Sequence, residues 1–218
     1  GFSFNGGFGA VNNSSNTYTS WSFRKAPGFF DGGTHPGDGN SGQAVAHNLA
    51  CKPGFITIKR TDSSGNWAVY HKELALDGAN QTLGLSLDHD GDTGGYGMFH
   101  NHDNQTSTHF TTWGDSSGNW NIDGATYVAY LWADGDEAAA QIFGDDEDES
   151  IIKCGSYTGG YPNETTVNLG WEPQWLLVRR STDTGPWLLV DNMRGLSGST
   201  SDAALLADVD DDEYNDDL

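Results

Sequence analysis

The sequence predicts an all-β protein, an antiparallel β-sandwich or jelly roll, built as two tandem copies of which the second is incomplete. Three observations lead there. Short runs rich in β-branched and aromatic residues alternate with Gly/Asp/Asn/Ser clusters, the chemistry of hairpins and loops. A long segment recurs further along the chain at a constant offset. And the 218 residues carry 30 Gly beside 8 Trp, 10 Phe and 8 Tyr, so aromatic side chains, each able to bury about 150–250 Å², must supply the core.

Strands are expected at 43–49, 54–60, 66–71, 82–88, 96–101, 107–113 and 125–133, then at 150–157, 165–169, 174–180 and 186–191. Residues 136–143, with an acidic start and three alanines, offer the one helical stretch, and so short a helix is marginal. The repeat joins these elements. Asn48-Leu49-Ala50-Cys51-Lys52-Pro53-Gly54-Phe55-Ile56-Thr57-Ile58-Lys59-Arg60 recurs as Asn168-Leu169-Gly170-Trp171-Glu172-Pro173-Gln174-Trp175-Leu176-Leu177-Val178-Arg179-Arg180, 120 residues on. The match continues through the turn into Trp67 and Trp187. Upstream, 29–37 matches 151–159 at an offset of 122.

The resulting organisation is a lead-in at 1–27, a first repeat at 28–144, an acidic linker at 145–149 and a second repeat at 150–218. The second repeat has no counterpart of 106–113 or 125–133, the most strand-like parts of the first. Half a sandwich leaves an apolar face and open strand edges. Trp175, Leu177, Trp187 and Leu189, which alternate on one face, are therefore expected at a contact with like chains. Gly1 is expected to open a processed chain or a fragment.

Charge narrows the partners. Ten Lys+Arg against 31 Asp+Glu give −21, which opposes binding to nucleic acid and anionic lipid, since both need clustered basic residues. No run is long and apolar enough for a membrane helix. Two cysteines, Cys51 and Cys154, are too few for a disulfide framework. One bridge is possible, and separate buried thiols are favoured. The runs 134–149 and 208–217 hold 15 of the 31 carboxylates and read as solvated linker and tail, the second oddly placed inside a repeat.

Trp21-Ser22-Phe23-Arg24-Lys25-Ala26-Pro27-Gly28-Phe29-Phe30-Asp31, Trp67-Ala68-Val69-Tyr70-His71, Glu149-Ser150-Ile151-Ile152-Lys153-Cys154-Gly155-Ser156-Tyr157-Thr158-Gly159 and Asp191-Asn192-Met193-Arg194-Gly195 together resemble an uncharacterised repeat domain of tail-fibre and other virion proteins of marine bacteriophages, cyanophages among them. The resemblance covers about residues 21–195. It implies a concanavalin-like β-sandwich in an extended surface fibre, hence a virion-surface or extracellular location. It supplies no catalytic residues.

Local chemistry offers few sites. Asp88, Asp90 and Asp92 alternate in a Gly-containing loop and can converge on Ca²⁺, which takes 6–8 oxygens; a solvated hairpin tip is the plainer reading. His100 and His102 share one strand face and raise a transition-metal site. But the second repeat carries Tyr157, Val167 and Asp191 where the first has His35, His47 and His71, so the unit folds without those three. Trp67 and Trp187 are repeat-equivalent and read as core. Trp113 and Trp120 belong to the first repeat alone and are the candidates for stacking on a host-surface glycan. No nucleophile elbow, zinc-binding helix motif, P-loop or glycosidase carboxylate pair is present, and no enzyme activity is expected. The leading expectation is a self-associating structural fibre protein; the alternative is a lectin-like module, with Ca²⁺ assisting.

Overall fold

The structure is a computed structural model and describes residues 1–4, 11–74, 81–88, 97–100, 102–113, 120–194, 202–209 and 214–216. Among these residues the strands are β1 (Phe30–Pro36), β2 (Gln43–Ala46), β3 (Pro53–Arg60), β4 (Ala68–His71), β5 (Gln81–Leu83), β6 (Leu85–Ser86), β7 (Gly97–His100), β8 (His109–Thr112), β9 (Thr126–Ala133), β10 (Trp175–Val178), β11 (Leu188–Asp191), β12 (Asp202–Leu206) and β13 (Tyr214–Asp216). The protein is all-β, and every strand pair is antiparallel. Of the expected helix at 136–143, one 3₁₀ turn forms, Ala138–Ala140.

Two sheets make the first sandwich: β1-β9-β3-β4-β6 and β2-β8-β7-β5. β9 alternates inward Tyr127, Ala129, Leu131 and Ala133 with outward Val128, Tyr130 and Trp132. Its inward set joins Ile56, Ile58, Ala68 and Tyr70 from the same sheet and Phe99 and Phe110 from the other in one buried core.

The third sheet, β10-β11-β12-β13, repeats the geometry of the first. β3 pairs with β4 as Phe55↔His71, Ile56↔Tyr70, Thr57↔Val69 and Ile58↔Ala68. β10 pairs with β11 as Trp175↔Asp191, Leu176↔Val190, Leu177↔Leu189 and Val178↔Leu188, the same register 120 residues on. Ala68↔Ser86 and Val69↔Leu85 likewise recur as Leu188↔Leu206 and Leu189↔Leu205. The repeat read from the sequence is thus a repeat of hydrogen bonding.

Two expected strands do not form. Residues 150–157 and 165–169 are irregular, although their equivalents in the first copy are β1 and β2. The reason is pairing. β1 has β9 as its strand neighbour and β2 has β8; among the described residues no strand stands beside 150–157 or 165–169, so these segments have no ladder to join. Conversely β1 was not expected. Gly32 and Gly33 in its middle lower its strand propensity, yet Gly32 lets the strand lie against Tyr130, whose ring is 3.0 Å from where a Cβ would stand.

The third sheet also corrects the expected exposure of Trp187. That side chain is 4% exposed and covered within the chain. Val69, Leu74, Leu85 and Trp187 form a second buried cluster, with Phe55, Leu87 and Leu177 against it. Strands β3, β4 and β6 of the five-stranded sheet are therefore covered on both faces, giving three stacked layers there. Trp175, Leu177 and Leu189 are half-buried. Cys51 and Cys154 are separate, buried thiols.

Candidate functional site

Three places hold polar or aromatic groups in arrangements that do something. The first is the junction between the copies. Phe55, Val69 and Leu85 lie on the outer face of the first sheet, and Leu177 and Trp187 on the equivalent face of the third. Like faces of two like units meet here. The Trp187 indole donates to the Ser86 carbonyl at 2.8 Å, fixing the docking angle. Behind Trp187, Asp208 accepts from the Trp187 amide at 3.0 Å. Its other oxygen lies 3.5 Å from Arg179, with both side chains almost fully buried, at 0% and 2% exposed. The Arg179 guanidinium in turn lies 5.6 Å over the Trp187 ring. Asp208, which opens the run read as a solvated tail, is a buried structural anchor.

The same turn occurs in the first copy, where Asp88 accepts from the Trp67 amide at 3.0 Å. That gives Asp88, one of the three expected Ca²⁺ ligands, a turn-closing role independent of any ion. Asp90 and Asp92 lie outside the described residues. The glycan candidates part company: Trp113 sits edge-on to His100 at 4.6 Å, while Trp120 packs against the first core.

The second place is a polar cluster where the turn after β4 meets the loop after β9. Lys72 reaches Asp134 at 2.6 Å with both side chains under a tenth exposed, and Asp136 at 2.7 Å; Asp136 also holds Lys153 at 3.1 Å. Burial works against the charged Lys72 amine, but its hydrogen bonds to Asp134 and Asp136 outweigh that and raise it above the usual lysine range. Those same bonds, Lys72 first, hold the Asp136 carboxyl below its usual range. Beside them Tyr70 Oη and His102 Nδ1 are 2.8 Å apart, and Glu137 accepts from the Lys52 amide at 3.0 Å. Ligand atoms of His102, Asp134 and Glu137 lie within 4.8 Å of one another. Burial lowers His102, keeping the imidazole neutral, so this is a donor set a divalent cation accepts. The Lys72 ammonium, however, already neutralises Asp134. The cluster works as a clamp between β4, β9 and the segment at 153. Burial pushes both thiols nearby, Cys51 and Cys154, up to about 12, so neither is a nucleophile near neutrality. Sequence reasoning missed the clamp: 62 residues separate Lys72 from Asp134.

The third place is a cleft of about 190 Å³ between β1 and β2, lined by Lys25, Asp31, His35, His47 and Phe110 among others. At its mouth Lys25 pairs with Asp31 at 3.0 Å. Burial alone would raise the Asp31 carboxyl, but bonds from the Asn48 amide, Lys25 and the Gly32 amide keep it below its usual range. His35 stacks on Tyr127 at 5.5 Å and meets Phe110 edge-on. Neither of its ring nitrogens has a hydrogen-bond partner, and burial lowers its pKa to about 4. It acts as an aromatic plug, as the Tyr157 at its repeat position suggests.

A pH response follows. Unfolded His35 takes up its proton near pH 6.5, folded His35 only near 4. Between those values the unfolded state binds more protons, so this contribution is complete above pH 6.5 and is lost as pH falls towards 4. The window is worth about 3 kcal/mol. His35→Phe keeps the stacking and removes the titration. Its stability, measured by urea unfolding at a series of pH values, is expected to fall less over that window than the wild type's; superimposable curves would refute the assignment.

Nothing among curated proteins and nothing among solved structures matches the chain. One family model does, over residues 1–218, and the chain belongs to that family, described as a domain of unknown function (DUF7483).

Proposed function

We propose that the chain is a structural building block of an extended surface assembly, a virion fibre of the kind its motifs resemble, in which β-sandwich units are set against one another in series. The observation that carries this reading is the junction of the copies: two like units dock through equivalent faces, closed by Trp187 and the bond to Ser86. The setting on a virion rests on the sequence resemblance. Self-association draws on strands at sheet margins, such as β1 and β2, whose open edges can accept another chain. The net charge of −21 opposes random clustering, so association should be ordered and should strengthen as salt screens the repulsion.

Sedimentation velocity on the 218-residue chain at micromolar concentration, in low and moderate salt, tests this. A discrete oligomer or filament growing with salt is expected. A monomer throughout would overturn the proposal.

A further inference from the structure

Residues 1–25 and 110–134 share a pattern that neither copy boundary explains. At an offset of 109, Asn12, Thr17 and Tyr18 match Asn121, Thr126 and Tyr127, and the aromatics Phe4, Trp21 and Phe23 fall on Trp113, Tyr130 and Trp132. The geometry agrees at three independent points. The Asn13 amide donates to Tyr18 Oη at 3.0 Å, as the Ile122 amide does to Tyr127 Oη at 3.0 Å. The Asn16 amide donates to the Asn13 carbonyl, as Ala125 does to Ile122. Ser15 has φ of 72°, a left-handed conformation that side chains rarely adopt, where Gly124 has 75°. The lead-in is folded as the corner that enters β9.

We propose that residues 11–25 are the closing strand of a sandwich unit, equivalent to β9, and that they pair with the second copy of the same chain. The second copy, 150–218, corresponds to about residues 30–98 of the first, and among the described residues no strand pairs with β10 on the side away from β11. The acceptor is the open edge of β10, which stands where β3 stands in the first copy; β3 has β9 along that edge, in the register Phe55↔Trp132, Thr57↔Tyr130 and Lys59↔Val128. Transferred to the second copy, that register sets Phe23 opposite Trp175, Trp21 opposite Leu177 and Thr19 opposite Arg179.

The chain's own lead-in is the occupant because its aromatics are already there. The Phe23 and Trp175 rings are 6.1 Å apart, edge to face, mirroring Phe55 and Trp132 at 5.1 Å. Trp21 lies under the Arg194 guanidinium, 5.6 Å away. Ser20 and Ser22 stand where β9 has the inward Ala129 and Leu131, so this strand adds less apolar burial and closes less tightly than β9. Closure also gives the segment at 150–157, the equivalent of β1, the neighbour it lacks. The inference concerns closure within one chain and is independent of the fibre setting.

Amide hydrogen exchange on the unmodified chain tests it, repeated over a hundredfold dilution. Alternate amides between Thr19 and Phe23 are expected to exchange at least about tenfold more slowly than an open coil, to the same degree at every concentration. Exchange at the open-coil rate would overturn closure. Protection that disappears on dilution would overturn the single-chain form, in favour of strand donation from a second copy. The register is read from Trp21→Cys with Leu177→Cys under mild oxidation. A bond within one chain supports the proposal; bonds between chains, or none, overturn it. Sedimentation is not involved, so a monomer with protected amides would sink the fibre reading and leave closure standing.

Discussion

Asp208→Ala is expected to cost about 3–5 kcal/mol, because it takes the Asp208 carboxylate away from the buried Arg179 guanidinium. It also removes the acceptor for the Trp187 amide. The loss should fall on the third sheet first: Trp187 fluorescence should report an early transition in urea while the first sandwich stays folded. Asp88→Ala is the control, since it breaks the equivalent bond to Trp67 at an exposed turn with no buried arginine behind it. That variant should cost about 1 kcal/mol, the net worth of one hydrogen bond. Equal losses in the two variants would mean that burial of the Arg179–Asp208 pair does not matter.

Lys72→Met is expected to be comparably severe, about 3–5 kcal/mol, because Asp134 then remains charged in a site where it is 6% exposed. Adding Asp134→Asn should recover much of that loss, since the pair as a whole contributes less than the penalty for breaking it. Thermal unfolding of the two single variants and the double variant gives the coupling. A double variant as unstable as the sum of the singles would show that the two side chains act separately.

Much of this architecture is legible in the sequence, for reasons that differ by element. The unit repeats audibly in Pro53 and Pro173, and in Trp67 and Trp187, since turn and core positions tolerate little change; hence the offset of 120 predicts the register of β10 and β11. β9 shows because its aromatics and alanines alternate. What stayed hidden depends on partners rather than on local pattern. Ile151, Ile152 and Tyr157 have strand propensity but, among the described residues, no strand to pair with. Gly32 and Gly33 have little propensity, yet β1 forms because β9 holds it. The third layer has its trace in the unbroken apolar run 67–70, which suits a sheet buried on both faces. The Lys72–Asp134 clamp left no signal at all, because a pair of opposite charges at that separation resembles any other. The match of 12–25 to 121–134 is too sparse in identities to stand without the tyrosine bonds and the left-handed turn.

Cys51 and Cys154 give the protein a chemical clock. With each thiol pushed up to about 12 by burial, only about one in ten thousand is a thiolate at pH 8, and neither is reachable from solvent while the structure is shut. Their alkylation is therefore paced by opening of the fold rather than by the reagent. The two sites time different events. Cys51 lies in the first core, so its labelling waits on that sandwich. Cys154, near the start of the second copy, donates to the Ala133 carbonyl of the first, so its labelling records the seam between them.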